Sequence, residues 1–470
     1  MGIFDNFYNN IAERIANAIQ NQMIGTENKY ILDTRKYRMG LQPSQLKVRP
    51  GQFDDNLVMN FCGLVVNRAV SQVIGNGVEF DFEGETETPQ ETYIAAVLDA
   101  NKQEILFHRA ELSATEAGTG YIMIVPDGVI GKDGNVYPRL MLLDPILVKM
   151  YTLPEDHEII IRYVIEYTFT GADGKEWSRR RTIEQQAPEV LEDGTQSGGN
   201  YWTDIIEEKS PKSSQYTVVS QTVWEYDFPP VIHWQNLPSI GSPYGESDIP
   251  ADVLRLQDRI NFSSSNLSKI VRLYAHAPRY GKMLGDEVSV KLGTDDLVSY
   301  NDPLAEIVQL QPVADLTGAL SVFHSQRQAL FDITRSVDID SMQDKLGSLT
   351  NFGLKVLYQD TIAKINTKRE LFGDMLEELI RRIQVLNGME AVNCEAVWPE
   401  FLPINDVEKA NSEIAKVGAG LKSKQTAATD LGEDWEREQE RMIGEQAASS
   451  NIGAEILRAF ENGQNNNANI

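Results

Sequence analysis

The sequence predicts an α+β fold, with strands gathered in its first half and long helices in its second. Three observations carry that prediction. Residues 158 to 234 alternate apolar and polar side chains in "EIIIRYVIEYTF", "EWSRRRTIEQ" and "YTVVSQTVWEYDF", separated by turns such as "EDGTQSGGN", the period-two pattern of a β-meander. After "FPPVIHWQNLP" the apolar residues Ile249, Val253, Leu256, Ile260, Leu267 and Ile270 recur at spacings of four and three around Ser263, a heptad stripe. Residues 352 to 388 then form one helical pattern of roughly 35 residues, about 50 Å at 1.5 Å per residue and longer than one small domain needs.

The elements between these landmarks follow in order. Residues 1 to 75 read as helical, and from Asp55 to Ile74 the set Leu57, Phe61, Val65, Ala69 and Val73 repeats every four residues as a buried face. "VEFDFEG" reads as a strand, "QETYIAAVLDANKQEILFHRAELSATEAG" as one or two helices, and "GYIMIVPD" and "RLMLLDP" as strands joined through "GKDGN". In "YGESDIPADVLRL" either Ser247 or Asp248 suits the N-cap of the heptad helix, and Pro250 is tolerated in its first turn. Residues 277 to 312 form a compact β-insertion, and the helix after it carries Leu316, Leu320, Phe323 and Leu330 in step. The loop "SVDIDSMQDKLGSLTN" leads into the long helix, three short helices follow, and "ENGQNNNANI" reads as a disordered tail.

Composition limits the function. The chain has 470 residues and a formal charge of -26 at pH 7, which argues against a broad clamp on a nucleic-acid backbone, because such clamps carry excess Lys and Arg to displace counterions. Cys62 and Cys394 lie far apart, so a reducing compartment is expected. No apolar run reaches the length of a membrane span, and "MGIFDNFYNN" lacks a signal core; Asn6 also removes the Ser or Thr of a myristoylation signal. A cytoplasmic start is expected. The set Ile3, Phe7, Ile11, Ile15 and Ile19 reads as an ordinary packed helix, since it lacks a Lys-rich polar face.

A search for chemistry finds little. Ser247 lies in a Gly-x-Ser setting, but Ile249 occupies the place of the last Gly of a nucleophile elbow. There is no phosphate loop or dinucleotide fingerprint, and the glycines of "GNG" at 75 to 77 read as a turn. His108, His157, His233, His276 and His324 are scattered, so no zinc or catalytic site is expected from them. Asp338 and Asp340 have the chemistry for Mg²⁺ but read as an exposed polar loop. Arg179, Arg180 and Arg181 fall on an alternating strand and read as solvated charges on opposite faces. A recognition helix reading "EDWEREQERM" would be repelled by phosphate. No enzyme activity, metal or cofactor is expected.

The order of elements, with "FPPVIHWQNLPSIGSPYGESDIPADVLRLQDRINFSSSNL" as the strongest string and "GTGYIMIVPD", "LLDPILVKMY" and "LPINDVEKANSEIAKVGAGLKSKQTAATDLGEDWEREQERMIGEQ" as weaker ones, resembles the portal proteins of tailed bacteriophages. That resemblance spans roughly residues 50 to 446 and implies a portal fold. Residues 1–243 would form the wing, 244–276 and 313–335 the stem helices, 277–312 the clip and 336–351 the tunnel loop. Residues 352–388 would be the spine helix, 389–446 the crown and 447–470 the tail.

It further implies a homo-oligomeric ring of about twelve copies at the portal vertex of the virion, assembled in the host cytoplasm. Double-stranded DNA would pass through its channel during packaging and ejection. Its partners would be the terminase large subunit, the head–tail adaptor and the major capsid and scaffolding proteins, with no membrane. The stem stripe would then pack against its return helix and against neighbouring subunits, with the polar belt Ser263 to Asn266 at a helix crossing or facing the channel. Acidic walls would let DNA pass without adhering. Ser341, Gln343 and Lys345 would be the tunnel-loop groups nearest the DNA, and Arg279, Lys282 and Lys291 the clip cations that meet acidic partners. Two other readings stay open: a cytosolic enzyme with a substrate site in the β-rich domain, and a helical scaffold without DNA traffic.

Overall fold

The computed structural model describes residues 28–51, 53–75, 77–83, 88–186, 189–190, 196–197, 201–275, 279–282, 304, 306–309, 316–339, 351–399, 401, 406–432, 435, 437–439 and 441–443. The chain divides into two units, Met1–Pro399 and Glu400–Ile470.

The first unit is built on two sheets. Strands β2 (Thr119–Ile130), β3 (Val136–Leu142) and β11 (Val231–Gln235) form a three-stranded antiparallel sheet in the order β11-β2-β3. Beside it, β4 (Val148–Thr152), β5 (Ile160–Thr170), β6 (Glu176–Gln186), β9 (Tyr201–Lys209) and β10 (Thr217–Trp224) make a five-stranded meander. The short strands β7 (Glu189–Val190) and β8 (Gln196–Ser197) pair between β6 and β9. The meander thus ends at β10, and the "VIHWQ" of its expected last stretch crosses to the other sheet to pair with β2.

The continuous apolar run "YIMIV" follows from this layering, because β2 is buried on both faces. Ile122 and Ile124 face helices α3 (Pro89–Ala100), α4 (Gln103–Ala117) and α8 (Gln359–Leu386), among Phe107, Ala110, Phe372 and Leu376. Tyr121 and Met123 face the meander, among Met150, Tyr163, Ile183 and Trp202. A residue shift of one would exchange the two sets. Strand β1 (Glu79–Phe82) pairs antiparallel with β14 (Cys394–Val397), which follows the long helix within the first unit.

A third core joins α2 (Phe61–Ile74), α5 (Ala251–Ala275) and α6 (Leu316–Ile333) through Val65, Val66, Val253, Ile260, Leu330 and Phe331. The expected start of α2 at Asp55 moves to Phe61. Asn60 fixes that start by accepting the Gly63 N–H at 3.0 Å, while residues 53–60 run without helical structure and Leu57 is exposed. The long helix is two segments, α7 (Asn351–Leu357) and α8, meeting at Tyr358. Strands β12 (Arg279–Lys282) and β13 (Glu306–Gln309) pair antiparallel within the β-insertion.

In the second unit, α9 (Asp406–Gly418) is followed by α10 (Lys424–Asp430). Ser423 caps α10 by accepting the Thr426 N–H at 3.1 Å, and Lys422 pairs with Glu413 at 2.5 Å and with Asp430.

Candidate functional site

The residues that connect these parts are polar and buried. In α4, Glu111 and Thr115 lie one turn apart, so they share a helix face. Asp248 sits in the turn before α5, and Lys364 and Lys368 lie one turn apart on α8. Lys364 Nζ lies 3.0 Å from Asp248 Oδ2, and Lys368 Nζ lies 2.8 Å from Glu111 Oε1 and 3.4 Å from Asp248 Oδ1. All four charged side chains are buried. Their charges cancel, and neutral groups take up the remaining valences. Asn236, just past β11, donates to Asp248 Oδ1 at 2.9 Å, and Lys368 donates to Thr115 Oγ1 at 2.8 Å.

Each charge answers to this surrounding. For Asp248, burial disfavours the charged form, but Lys368 and Lys364 outweigh it and hold the carboxyl far below the usual range. Burial pushes Glu111 up against the pull of Lys368, and lowers Lys364 against the pull of Asp248. The cluster therefore holds its charges by mutual pairing, and removing one member strands another.

The same Lys364 reaches the end of α6, donating to Thr334 O at 2.7 Å. Thr361 Oγ1 donates to Arg335 O at 2.8 Å, and Arg335 closes α6 in left-handed backbone at φ 51°. Arg68 donates to Val337 O at 3.1 Å, and Arg327 pairs with Asp338 at 2.6 Å. Asp338 is thus an ion-pair partner of α6 and not part of an open loop, while Asp340 lies outside the described residues. So do the tunnel-loop residues Ser341, Gln343 and Lys345.

Helix α5 carries a second polar row. Gln257 Oε1 accepts the N–H groups of Phe61 and Cys62 at 3.1 and 3.2 Å, and Asn261 Oδ1 accepts that of Met59 at 2.9 Å. Ser265 Oγ accepts the Leu57 N–H at 2.9 Å. Residues 57–62 thereby receive along one helix face the bonds that a neighbouring strand would otherwise supply. Of the polar belt, Ser264 and Ser265 turn to this segment, whereas Ser263 donates to Gln326 Oε1 of α6 at 2.9 Å, at the crossing of the two helices.

Along the heptad stripe of α5, Ile249, Val253 and Ile260 are fully buried, and Leu256, Leu267 and Ile270 are half-buried. Ser247 is buried, donates to Thr115 O at 3.0 Å and accepts the Ile249 N–H at 3.2 Å, so its hydroxyl serves the turn. Arg279 and Lys282 stand at the two ends of β12, opposite Gln309 and Glu306 of β13, and Lys291 lies outside the described residues. Arg179, Arg180 and Arg181 differ from the solvated charges expected of them: they pair with Glu208, Glu207 and Asp204 on β9 at 2.9, 2.8 and 2.9 Å. β9 places Glu208 and Glu207 directly opposite Arg179 and Arg180, whereas Arg181, opposite Ile206, reaches diagonally to Asp204.

The β-rich face holds a cavity of about 410 Å³ lined by Lys149, Tyr151, Arg162, Val164, Glu166, Arg180 and Thr182. Its cations are paired already, Lys149 with Glu166 at 2.6 Å and Arg162 with Glu184 at 3.6 Å. Among the described residues no three His, Cys, Asp or Glu side chains cluster as metal ligands. Among the same residues no helix is long and apolar enough to cross a membrane.

The buried charge cluster escaped the sequence reading, which followed the apolar stripe of the long helix. Lys364 and Lys368, four apart and flanking Ile365 on that stripe, are the signal it offered. A family model described as "Phage portal protein, SPP1 Gp6-like" matches residues 5–451. No curated protein matches the chain.

Proposed function

We propose, from the premise that the chain belongs to the phage portal protein family, that it forms the ring through which double-stranded DNA enters and leaves a phage capsid. The family is a structural one and gives the chain its role at the portal vertex of the virion, as a subunit of an oligomeric ring that contacts capsid proteins and DNA. In our reading, residues 1–243 are the wing, 244–276 and 313–335 the stem helices, 277–312 the clip, 336–351 the tunnel loop, 352–388 the spine and 389–446 the crown.

The observation that carries the ring is the apolar surface left on the two stem helices. Phe262 and Val271 of α5 and Leu320 and Val322 of α6 are exposed in the single chain. A helix pair that buries one side against α2 and leaves apolar groups on another fits side-by-side packing with further copies. The acidic balance of -26 supports passage of DNA, since a negative wall does not gain affinity by releasing counterions. On this reading Ser341, Gln343 and Lys345 stand nearest the DNA, Arg279, Lys282 and Lys291 meet the terminase large subunit or the head–tail adaptor, and the ring holds about twelve subunits.

Native mass spectrometry of the purified protein, with electron micrographs of the same sample, tests this. A species near twelve times the 52.7 kDa chain, seen as a ring with a central hole, is the expected result. A strict monomer at every concentration and salt, also in the presence of capsid and scaffolding proteins, would overturn it.

A further inference from the structure

Strand β11 is the edge of its sheet, and one side of it is unfinished. The bonds from Ile124 N to Pro230 O and from Asn236 N to Gly118 O fix the alternation of the ladder. Ile232 and Trp234 therefore turn their backbone groups to β2, and Val231 and His233 turn theirs outward. Arg382 of α8 caps one of those outward groups, donating to Val231 O at 3.0 Å. Arg382 also donates to Pro229 O at 2.9 Å and Val231 is fully buried behind it, so the open part of the edge is the half-buried pair His233 and Gln235, whose outward backbone groups have no partner among the described residues.

An edge of this kind is a template for a further strand. It opens onto a cavity of about 400 Å³ between β11, the meander and α8. On the meander side the lining is Ile160, Tyr163 and Trp202, and the indole N–H groups of Trp202 and Trp234 are buried without an acceptor. Two carboxylates on the lining, Glu158 and Asp374, are exposed and enter no ion pair among the described residues. Glu378 is already held by Arg381 and Arg382.

We propose that the free edge of β11 takes up an extended segment of a partner protein as an added strand, with apolar side chains toward Tyr163 and Trp202 and Lys or Arg side chains toward Glu158 and Asp374. The backbone groups of His233 and Gln235 supply register, the aromatic wall takes alternate side chains, and the two acids select a basic partner. This site is distinct from the clip and the tunnel loop, and it stands whether or not the ring reading holds.

The probe is a capped ten-residue peptide of alternating Val and Lys added to the full-length protein, with amide hydrogen exchange read residue by residue. The His233 and Gln235 amides are expected to slow by about tenfold or more at saturation, while Ile232 and Trp234, already bonded to β2, stay unchanged. The same peptide with alternate backbone nitrogens methylated keeps its charge but loses its donors, and should leave His233 and Gln235 exchanging as before. Glu158→Lys with Asp374→Lys should weaken the unmodified peptide by about tenfold, roughly 1.4 kcal/mol, at an unchanged melting temperature. No slowing at saturation, equal slowing by the methylated peptide, or undiminished binding to the double variant would each overturn the proposal. Slowing on self-association without peptide would overturn it too, by making a second copy of the chain the occupant.

Discussion

Lys364 Nζ lies 3.0 Å from Asp248 Oδ2 with both side chains withdrawn from solvent, so the long helix α8 and the turn that begins α5 are fastened by one buried ion pair. Lys368 extends the pair to Glu111 of α4, and Lys364 also holds the last carbonyls of α6 through Thr334. Movement of α8 along its axis would have to break these bonds together. The sheets, α5, α6 and α8 therefore move as one body about this point, unless the cluster opens.

Removing one cation from the cluster should be costly. Lys368→Met leaves Asp248 and Glu111 facing Lys364 alone, and an uncompensated buried charge costs about 3–5 kcal/mol. Lys368→Met with Glu111→Leu restores neutrality and should recover a large part of the loss. Urea unfolding at one fixed protein concentration measures both, because assembly contributes to apparent stability. A loss below about 1 kcal/mol for the single variant would show that the charges reach solvent.

Two acid-sensitive windows follow from two residues. His233 is pushed down to about 4 by burial, with Arg382 adding to the effect, against about 6.5 when unfolded. Its contribution is complete above pH 6.5 and is lost as pH falls from there toward 4, because only the unfolded state takes up the proton. Asp248 acts lower. With its folded value far below the unfolded one of about 3.9, its contribution is present above about pH 4 and is lost below that. His233→Phe should flatten melting temperature against pH between 6.5 and 4, and Asp248→Asn only below 4. Curves that keep the wild-type slope in both windows would exclude these groups.

Gly120 is required by its neighbour across the sheet. A Cβ at this position would lie 2.1 Å from Trp234 Cζ2, and that ring is buried against Phe372. Gly120→Ala should therefore cost about 1–3 kcal/mol or more as the indole is displaced. Gly120→Ala with Trp234→Leu should be more stable than the single variant, which thermal melts of the two would establish.

The polar row on α5 makes a different prediction. Asn261→Leu preserves much of the volume but leaves the Met59 N–H without its acceptor, at a cost of about 1–3 kcal/mol. Gln257→Leu does the same to Cys62, while the Phe61 N–H keeps Met59 O at 2.9 Å. The two should not add, because Gln257 Nε2 donates to Asn261 Oδ1 at 3.0 Å. Amide exchange at Met59 should rise in Asn261→Leu, and an unchanged rate there would separate the residue from the segment it is said to hold.

What the sequence revealed and what it hid differ in kind. Helix α5 and the antiparallel meander were legible because the period of their apolar residues is set by local geometry, and the order of elements pointed to the portal family. The assignment of β11 was not legible: "VIHWQ" has the period of a meander strand, and only the pairing of Ile232 with Ile122 puts it in the other sheet. The same is true of Asp248, read as a cap from its position before a helix. Its partners lie 116 and 120 residues away on α8, where no local pattern relates them. Gln257, Asn261 and Ser265, spaced by four, were in view as polar interruptions of a helix, but their partner segment 57–62 read as part of another helix.

The three cations of the proposed clip give the most direct test of function. Arg279 and Lys282 stand on β12, and Lys291 follows in the same insertion; on the proposed reading these three cations meet acidic partners. Replacing all three by Glu reverses that local charge while leaving the helices of the three buried cores untouched. The ring should keep its mass, and terminase-dependent DNA packaging should fall by at least about tenfold, with a weaker salt dependence of terminase binding. Packaging at the wild-type rate by rings of normal mass would remove these residues from the docking surface. Loss of the ring itself would instead place the clip in subunit assembly.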